Sequence, residues 1–275
     1  LVEEMGYEVE MVFLPAGPAT YEAVLSGDVD AAFEFWPSAS PEAYKYLEKF
    51  GGDGSVEYFG DTGIVGENGW WVPRYVIEGD ADRGIEAVAP DLKNWEQLNK
   101  YAELFATPET APKGRLIGCP VPAWQCGNIY RISALKLDYE LAVMGTEIAQ
   151  VAEIESYYSR GEPILVYWWA PHWVHAKYDM VRLRLPEYTD ECWGGADGWG
   201  PHSGCDWPDD IPFNFGSVTL KDRHPDVHQL IWNFNLSNQQ QTEMAYEVDV
   251  NGNEVEDVVR EWMAQNEDIW RAWIP

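Results

Sequence analysis

Residues 161–173 read Gly-Glu-Pro-Ile-Leu-Val-Tyr-Trp-Trp-Ala-Pro-His-Trp. A run of apolar and aromatic residues, 163–169, starts at a proline and stops just before another. Such a run reads as a strand. A helical pattern over 146–160 precedes it, and a further strand, 181–185, follows. Working back toward the N-terminus, 139–143 reads as a strand, 127–137 as a helix and 115–119 as a strand. Strand and helix therefore alternate, which predicts a mainly parallel sheet covered by helices.

A second series lies upstream. Thr20 is placed to cap a short helix that Gly27 and Asp28 break. Residues 29–36 then read as a buried strand, and 41–50 as a helix opened by Pro41. Residues 55–59 and 69–76 read as strands, and 78–110 as a polar, helix-rich connection. At the extreme N-terminus, residues 1–14 read as the last turn of a helix, a Gly6 cap and a strand. So short a helix implies an upstream strand and helix outside this sequence. Downstream, 189–212 is an insertion dense in Gly, Asp, Trp and Pro. Residues 215–221 form a returning strand, and 226–273 a helical run.

Two α/β series joined in the middle predict two lobes closing on a ligand in the cleft between them. The expected boundaries put 1–77 and 214–275 in lobe 1, and 78–213 in lobe 2 with the insertion at 189–212.

Composition narrows the function. The chain has 275 residues and a formal net charge of −29, from 47 acidic and 18 basic residues. Such a balance lacks the basic footprint of a nucleic-acid partner and is repelled by anionic membrane surfaces. It suits solubility and cationic or zwitterionic ligands, although an acidic surface also arises in salty habitats. Cys119, Cys126, Cys192 and Cys205 form two local pairs, with six and twelve residues between partners. Local pairing suggests two disulfides and an oxidising compartment. A four-thiolate zinc site is the competing reading, but zinc ligands usually stand closer together.

Of fifteen tryptophans, many sit in short, turn-rich segments around Trp36, Trp70–Trp71, Trp124 and Trp168–Trp173. Indole presents the strongest ring face for a cation. A methylated ammonium has no hydrogen to donate, so a wall of such faces is one of the few ways to select it. Packing of core and lobe interface is the competing use of these rings.

Taken in order, LVEEMGYEVEM (1–11), SGDVDAAFEFW (26–36), GWWVPRYV (69–76), GRLIGCPVPAWQC (114–126) and the segment from 159 to 183 resemble one family. It comprises the substrate-binding proteins of quaternary-amine ABC importers, which bind glycine betaine, choline and relatives. The similarity resumes over REWMAQNEDIWRAWI (260–274). The resemblance implies a two-lobed, type II-like periplasmic-binding-protein fold of class α/β. It also implies a periplasmic or membrane-tethered extracytoplasmic monomer that delivers a methylated amine to a membrane permease. It is not that of an enzyme. The cage positions it implies are Trp36, Trp70 or Trp71, Trp124 and Trp169. Alignment of the following Val-Pro favours Trp70.

Strand geometry adds an independent constraint. Successive side chains point to opposite faces, so only one of Trp70 and Trp71, and one of Trp168 and Trp169, can face a ligand. The same parity puts Glu34 on the face of Trp36, where it either complements a cation or a bound water, or makes a structural hydrogen bond.

Two departures bear on the ligand. Betaine binders of this family often place a carboxylate-holding His four residues after the first cage Trp; here that position is Ser40. His172 reads as a brace for the Trp169 turn, which leaves main-chain N–H groups around Gln125 to Gly127 as the remaining carboxylate partners. A four-Trp box without a charged clamp looks most like trimethylamine N-oxide binders, which ranks that ligand first, glycine betaine second and choline third. The second departure is the insertion, with Asp190, Glu191, Asp197, Asp206, Asp209 and Asp210. Oxygen ligands on a Gly-rich loop suit a structural Ca²⁺ ion, with Asp197, Asp206, Asp209 and Asp210 as candidates. A solvated acidic loop and a zinc site through His202 are the alternatives. Residues 247–259 only mimic an EF-hand, because Val258 stands where the bidentate Glu belongs.

Rival classes remain in view. The sequence has no Gly-x-Ser-x-Gly, no His-Glu-x-x-His and no Gly-rich phosphate loop. A glycoside hydrolase or a calcium-dependent sugar binder also uses aromatic platforms and paired acids.

Overall fold

A computed structural model of the chain describes residues 1–121, 124, 126–194 and 204–275. They form two units: Leu1–Gly66 with Asp210–Pro275, and Glu67–Asp209. The eight strands are β1 (Ala31–Phe35), β2 (Glu57–Asp61), β3 (Glu67–Pro73), β4 (Gly114–Ile117), β5 (Tyr139–Ala142), β6 (Leu165–Ala170), β7 (Met180–Leu183) and β8 (Phe213–Gly216).

The second unit carries a five-stranded sheet in the order β5-β4-β6-β3-β7. β4 is parallel to β5 and β6, whereas β3 runs antiparallel between β6 and β7. β6 is the central strand, and its first four residues are buried. That is why its sequence lacks polar alternation: a strand covered on both faces has no solvent side. The helix Glu147–Arg160 covers it. Thr146 accepts the Ala149 N–H at the start, and Gly161 in the left-handed region closes the end. From this helix Gln150 donates to the Tyr167 carbonyl at 2.7 Å. The core gathers Trp70, Val72, Leu98, Leu116, Leu165, Tyr167 and Leu183.

The first unit holds a three-stranded sheet in the order β1-β8-β2, with both pairings antiparallel. Its core is aromatic. Tyr21 stacks on Phe215 with centroids 4.2 Å apart, and Phe35 meets Phe215 edge-on at 4.7 Å. A separate cluster around Leu230, Trp270 and Trp273 packs the C-terminal helices.

Several expectations change. The sheets are not mainly parallel, because β3 and β8 each insert antiparallel between strands that run the other way. The units divide at 66/67 and 209/210, against the expected 77/78 and 213/214. β3 accounts for the first difference: its ladders with β6 and β7 tie Trp70 into the second unit's sheet. The strand expected within 1–14 is absent. Residues 7–15 have no ladder, and Met11 and Phe13 are exposed. Thr20 does not cap its helix, which begins at Pro18 after Gly17; its hydroxyl donates instead to the Pro15 carbonyl. The strand of Trp70 ends at Pro73, where the helix Arg74–Glu78 starts, and the returning strand is shorter than expected. The main helical part of 78–110 is a 3-10 helix, Trp95–Phe105, opened by an Asn94–Gln97 capping box.

Leu116 is 1% exposed at the centre of the β5-β4-β6 contact. Leu116→Ala removes buried methyls from a place where two flanking strands prevent collapse. It is expected to lower unfolding stability by about 2–5 kcal/mol, measured by urea titration; a loss below about 1 kcal/mol would show that β4 is not part of the second unit's core.

Candidate functional site

Strand order singles out a candidate position for a site in the second unit. From β4 the chain travels to β5 on one side and returns to β6 on the other, so the connections after β4 and β6 diverge. In open α/β sheets the crevice outside the carboxyl ends of such strands is where ligands bind. Trp124 lies in the connection after β4, and Trp169 lies at the end of β6. Their rings meet edge to face, with centroids 5.6 Å apart and planes at 78°. Both are partly buried against the core.

Each ring is held by a different device. Trp124 lies within the loop closed by the Cys119–Cys126 disulfide, and its carbonyl accepts the Cys126 N–H at 2.9 Å. A second disulfide joins Cys192 to Cys205. These are the two local pairs expected, and they remove the zinc reading. Trp169 stacks on Trp168 at 4.6 Å and 13°. His172 stands edge-on to both rings, at 5.0 and 5.2 Å. Its Nε2 is 3.0 Å from Glu147, and its Nδ1 accepts the Val174 N–H. Those contacts assign the proton to Nε2 and lock the ring as a brace.

The doublets resolve by pairing. On β3 and β6, Trp70 lies opposite Tyr167 and Asn68 opposite Trp169, so these four share one face. Trp71 lies opposite Val166 on the other face. Trp70 is fully buried and donates its Nε1–H to Asn128 Oδ1 at 2.7 Å. Trp71 donates to the Trp168 carbonyl at 3.3 Å and lies beside His175. Trp168 is 1% exposed, whereas Trp169 is only partly buried. The face shared with Trp124 is therefore that of Trp70, Tyr167 and Trp169.

Behind this face lie residues that the sequence did not single out. Trp207 is edge-on to Trp70 at 6.4 Å and tilted on Tyr167 at 5.4 Å. The Arg131 guanidinium carbon sits 3.5 Å from the Trp207 ring centroid. Burial pulls its pKa down to about 9, so it stays protonated at neutral pH. Asn128 is the first residue of the helix Asn128–Ala134, which positions Arg131 one turn further on.

The first unit holds Trp36 at the end of β1. Its Nε1–H faces Glu34 at 3.4 Å, although the register shifts between Ala32 and Phe35 and breaks the regular alternation that parity assumes. Glu34 also accepts from Gln241 at 2.8 Å, and its own N–H donates to Asn214. Glu34 adopts φ 57°, a left-handed conformation rare for a non-glycine residue. Gly66 packs under the Trp36 ring so closely that a methyl there would overlap it. The Gly66 backbone in turn pairs with Asp210, which accepts from the Ser38 N–H at 3.1 Å and from the Ser38 hydroxyl. Ser40 is buried and meets the Tyr21 hydroxyl at 3.0 Å.

The acidic insertion looks different from the expectation. Both Asp206 oxygens are taken by Arg182, at 3.0 and 2.8 Å. Asp210 secures the Trp36 turn. Among the described residues no group of three or more His, Cys, Asp or Glu stands close enough to hold a metal. Asp206 and Asp210 are engaged by Arg182 and by Ser38. Asp209 joins no such group, and Asp197, His202 and Gln125 lie outside the described residues.

The profile of the OpuAC family, the substrate-binding domain of ABC-type glycine betaine transport systems, matches residues 1–265. The chain belongs to this family. It is thus a transporter substrate-binding protein and not an enzyme, which removes the glycoside hydrolase reading. The binding protein is 26% identical to a trimethylamine N-oxide-binding protein of Pelagibacter ubique (strain HTCC1062), over 98% of its own length and 82% of the relative's. Its fold is similar to that of the glycine/betaine/L-proline-binding protein ProX of Borrelia burgdorferi. There the TM-score is 0.74 at 20% identity, covering 100% of this chain and 88% of that one. Lactococcal OpuAC in its closed form with glycine betaine gives a TM-score of 0.73 at 17% identity, covering 100% and 91%. The expected two-lobed α/β fold is the fold of this family. No helix among the described residues is long and apolar enough to cross a membrane.

The binding protein should also show a specific acid sensitivity. Burial holds the His175 pKa down at about 4, while its Nε2 contacts the Trp169 carbonyl at 3.0 Å. A depressed imidazole pKa means that the unfolded chain binds more protons between pH 6.5 and 4. Stability from this group is complete above about pH 6.5 and is lost as the pH falls toward 4. Melting temperatures between pH 7 and 4 should fall less steeply in His175→Gln than in the parent chain. Parallel curves would remove His175 as a cause.

Proposed function

We propose that the protein captures a small methylated amine at the partly buried rings of Trp124 and Trp169, backed by the fully buried Trp70, and that trimethylamine N-oxide is its preferred ligand. The observation that carries this reading is the edge-to-face Trp124–Trp169 pair at the carboxyl ends of β4 and β6. Orthogonal rings offer two π-faces to one onium group without stacking on each other. Each well-placed ring contributes roughly 0.5–2 kcal/mol. Micromolar affinity needs about 8 kcal/mol, so several rings with methyl burial come close to supplying it.

Ser40 supports the choice among methylated amines. A carboxylate finds no imidazole at that position, and the serine hydroxyl is directed at Tyr21. Trimethylamine N-oxide needs only one small oxygen satisfied. The trimethylamine N-oxide-binding relative supports the same choice, while the structural neighbours with glycine betaine and with choline keep those ligands as the alternative. In this reading the protein works outside the cytoplasmic membrane and hands its ligand to the permease of an ABC importer. The disulfides favour such an oxidising location.

Titration calorimetry with trimethylamine N-oxide, glycine betaine, choline and a panel of sugars tests the reading. The methylated amines should bind, trimethylamine N-oxide most tightly, and the sugars should not. Trp169→Ala should weaken binding by at least about tenfold while the fold persists. Trp36→Ala asks whether the first unit contributes to the same ligand. Unchanged affinity in folded Trp169→Ala, or binding of sugars alone, would overturn the proposal.

A further inference from the structure

Trp169 is held from several sides. Trp168 stacks on its ring, Trp124 meets it edge to face, and His175 contacts its carbonyl at 3.0 Å. His172, edge-on to both Trp168 and Trp169, connects the stacked pair to the helix Glu147–Arg160. Its Nε2–H donates to Glu147 Oε1 at 3.0 Å. Glu147 is the first residue of that helix, and the Thr146 side chain fixes the backbone there by accepting the Ala149 N–H at 3.2 Å. The carboxylate therefore reaches the imidazole from a rigid anchor.

Docking of the helix does not require this contact. Gln150 and Ile154, both fully buried, already attach it, and Gln150 holds the Tyr167 carbonyl. Ile148, next to Glu147, is 83% exposed, so the first turn covers little of the core. An acidic residue there also suits the helix dipole, but that effect needs no imidazole. Both nitrogens of His172 are engaged, Nε2 by Glu147 and Nδ1 by the Val174 N–H. The ring cannot turn without breaking one of these bonds and changing its approach to the two indoles.

We propose that Glu147 is a positioning residue for ligand capture, acting through His172 to fix the angle at which the Trp169 ring meets the ligand. The inference rests on the ligand reading above. Attraction between an onium group and an indole depends on the cation standing over the ring face, so a ring that can swing loses part of it. Without an acceptor at position 147 the imidazole keeps only its bond to Val174 and turns about it. Trp169 then loses the wall that holds its ring toward Trp124.

The test is a double-mutant cycle read by titration calorimetry with trimethylamine N-oxide, glycine betaine and choline. It compares the parent chain with Glu147→Ala, Glu147→Gln, Trp169→Ala and the combined Glu147→Ala/Trp169→Ala chain, each with its melting temperature. The Glu147 side chain is 37% exposed, so its truncation opens no buried cavity. Glu147→Ser, too short to reach the imidazole, replaces Glu147→Ala should the latter lose its fold. Glu147→Ala should weaken binding by about three- to tenfold. Glu147→Gln should stay within about twofold of the parent, because the amide oxygen still accepts the Nε2–H. Once Trp169 is gone, Glu147→Ala should cost less than about twofold more. Unchanged affinity in Glu147→Ala, an equal loss with and without Trp169, or a Gln variant as weak as the Ala variant overturns the inference and leaves the ligand reading intact. A parent chain that binds none of the methylated amines, or a folded Trp169→Ala chain that binds as tightly as the parent, overturns both.

Discussion

Trp169 meets Trp124 because β6 lies parallel beside β4 while the chain leaves the two strands in opposite directions. Register fixes the first half of that statement: Leu116 pairs with Leu165 and Ile117 with Val166. The Cys119–Cys126 link fixes the second half, because it confines the loop of Trp124 to the end of β4. Neither ring is placed by its own preference. Each stands where a backbone constraint ends, and the pair forms where two constraints converge. Tyr167, Asn68 and Trp70 then follow from strand parity alone, since β3 presents its alternate residues to the same side.

Polar groups hold this arrangement from behind. Asn128 gives Trp70 an acceptor, Tyr167 donates to Asn68 at 2.6 Å, and Gln150 secures the Tyr167 carbonyl. Large rings with a polar edge are costly to bury unless that edge is satisfied. The same logic explains Arg182, which lies across Gly69 and donates to the Asn68 carbonyl at 3.0 Å from Nε. An Asp206–Arg182 pair of this geometry organises the chain around β3.

Much of this was legible in the sequence, for identifiable reasons. The strand and helix of 139–160, the position of β6 and both disulfides follow from local signals: apolar runs, an N-cap at Thr146, a Gly161 terminator and paired cysteines. Glu34 does meet Trp36, but at an irregularity in β1 rather than through regular strand alternation. Other features depended on long-range partners that no local pattern encodes. The apolar residues of 7–15 look like a strand, yet no neighbouring strand receives them. Asp206 and Asp210 look like members of one acidic group, yet one is bound by Arg182 and the other by Ser38. Arg131 has no local sequence signal that singles it out within the helix Asn128–Ala134. Only the fold shows that its helix face is covered by the loop of Cys205 and Trp207.

The stacking of Trp168 on Trp169 has an optical consequence. Two identical chromophores held face to face at 4.6 Å cannot absorb independently, because their transition dipoles mix. With Trp124 set across the end of the pair, the cluster carries a built-in circular-dichroism signature that depends on ring geometry rather than on ring number. The aromatic face can therefore report its own rearrangement without any attached label.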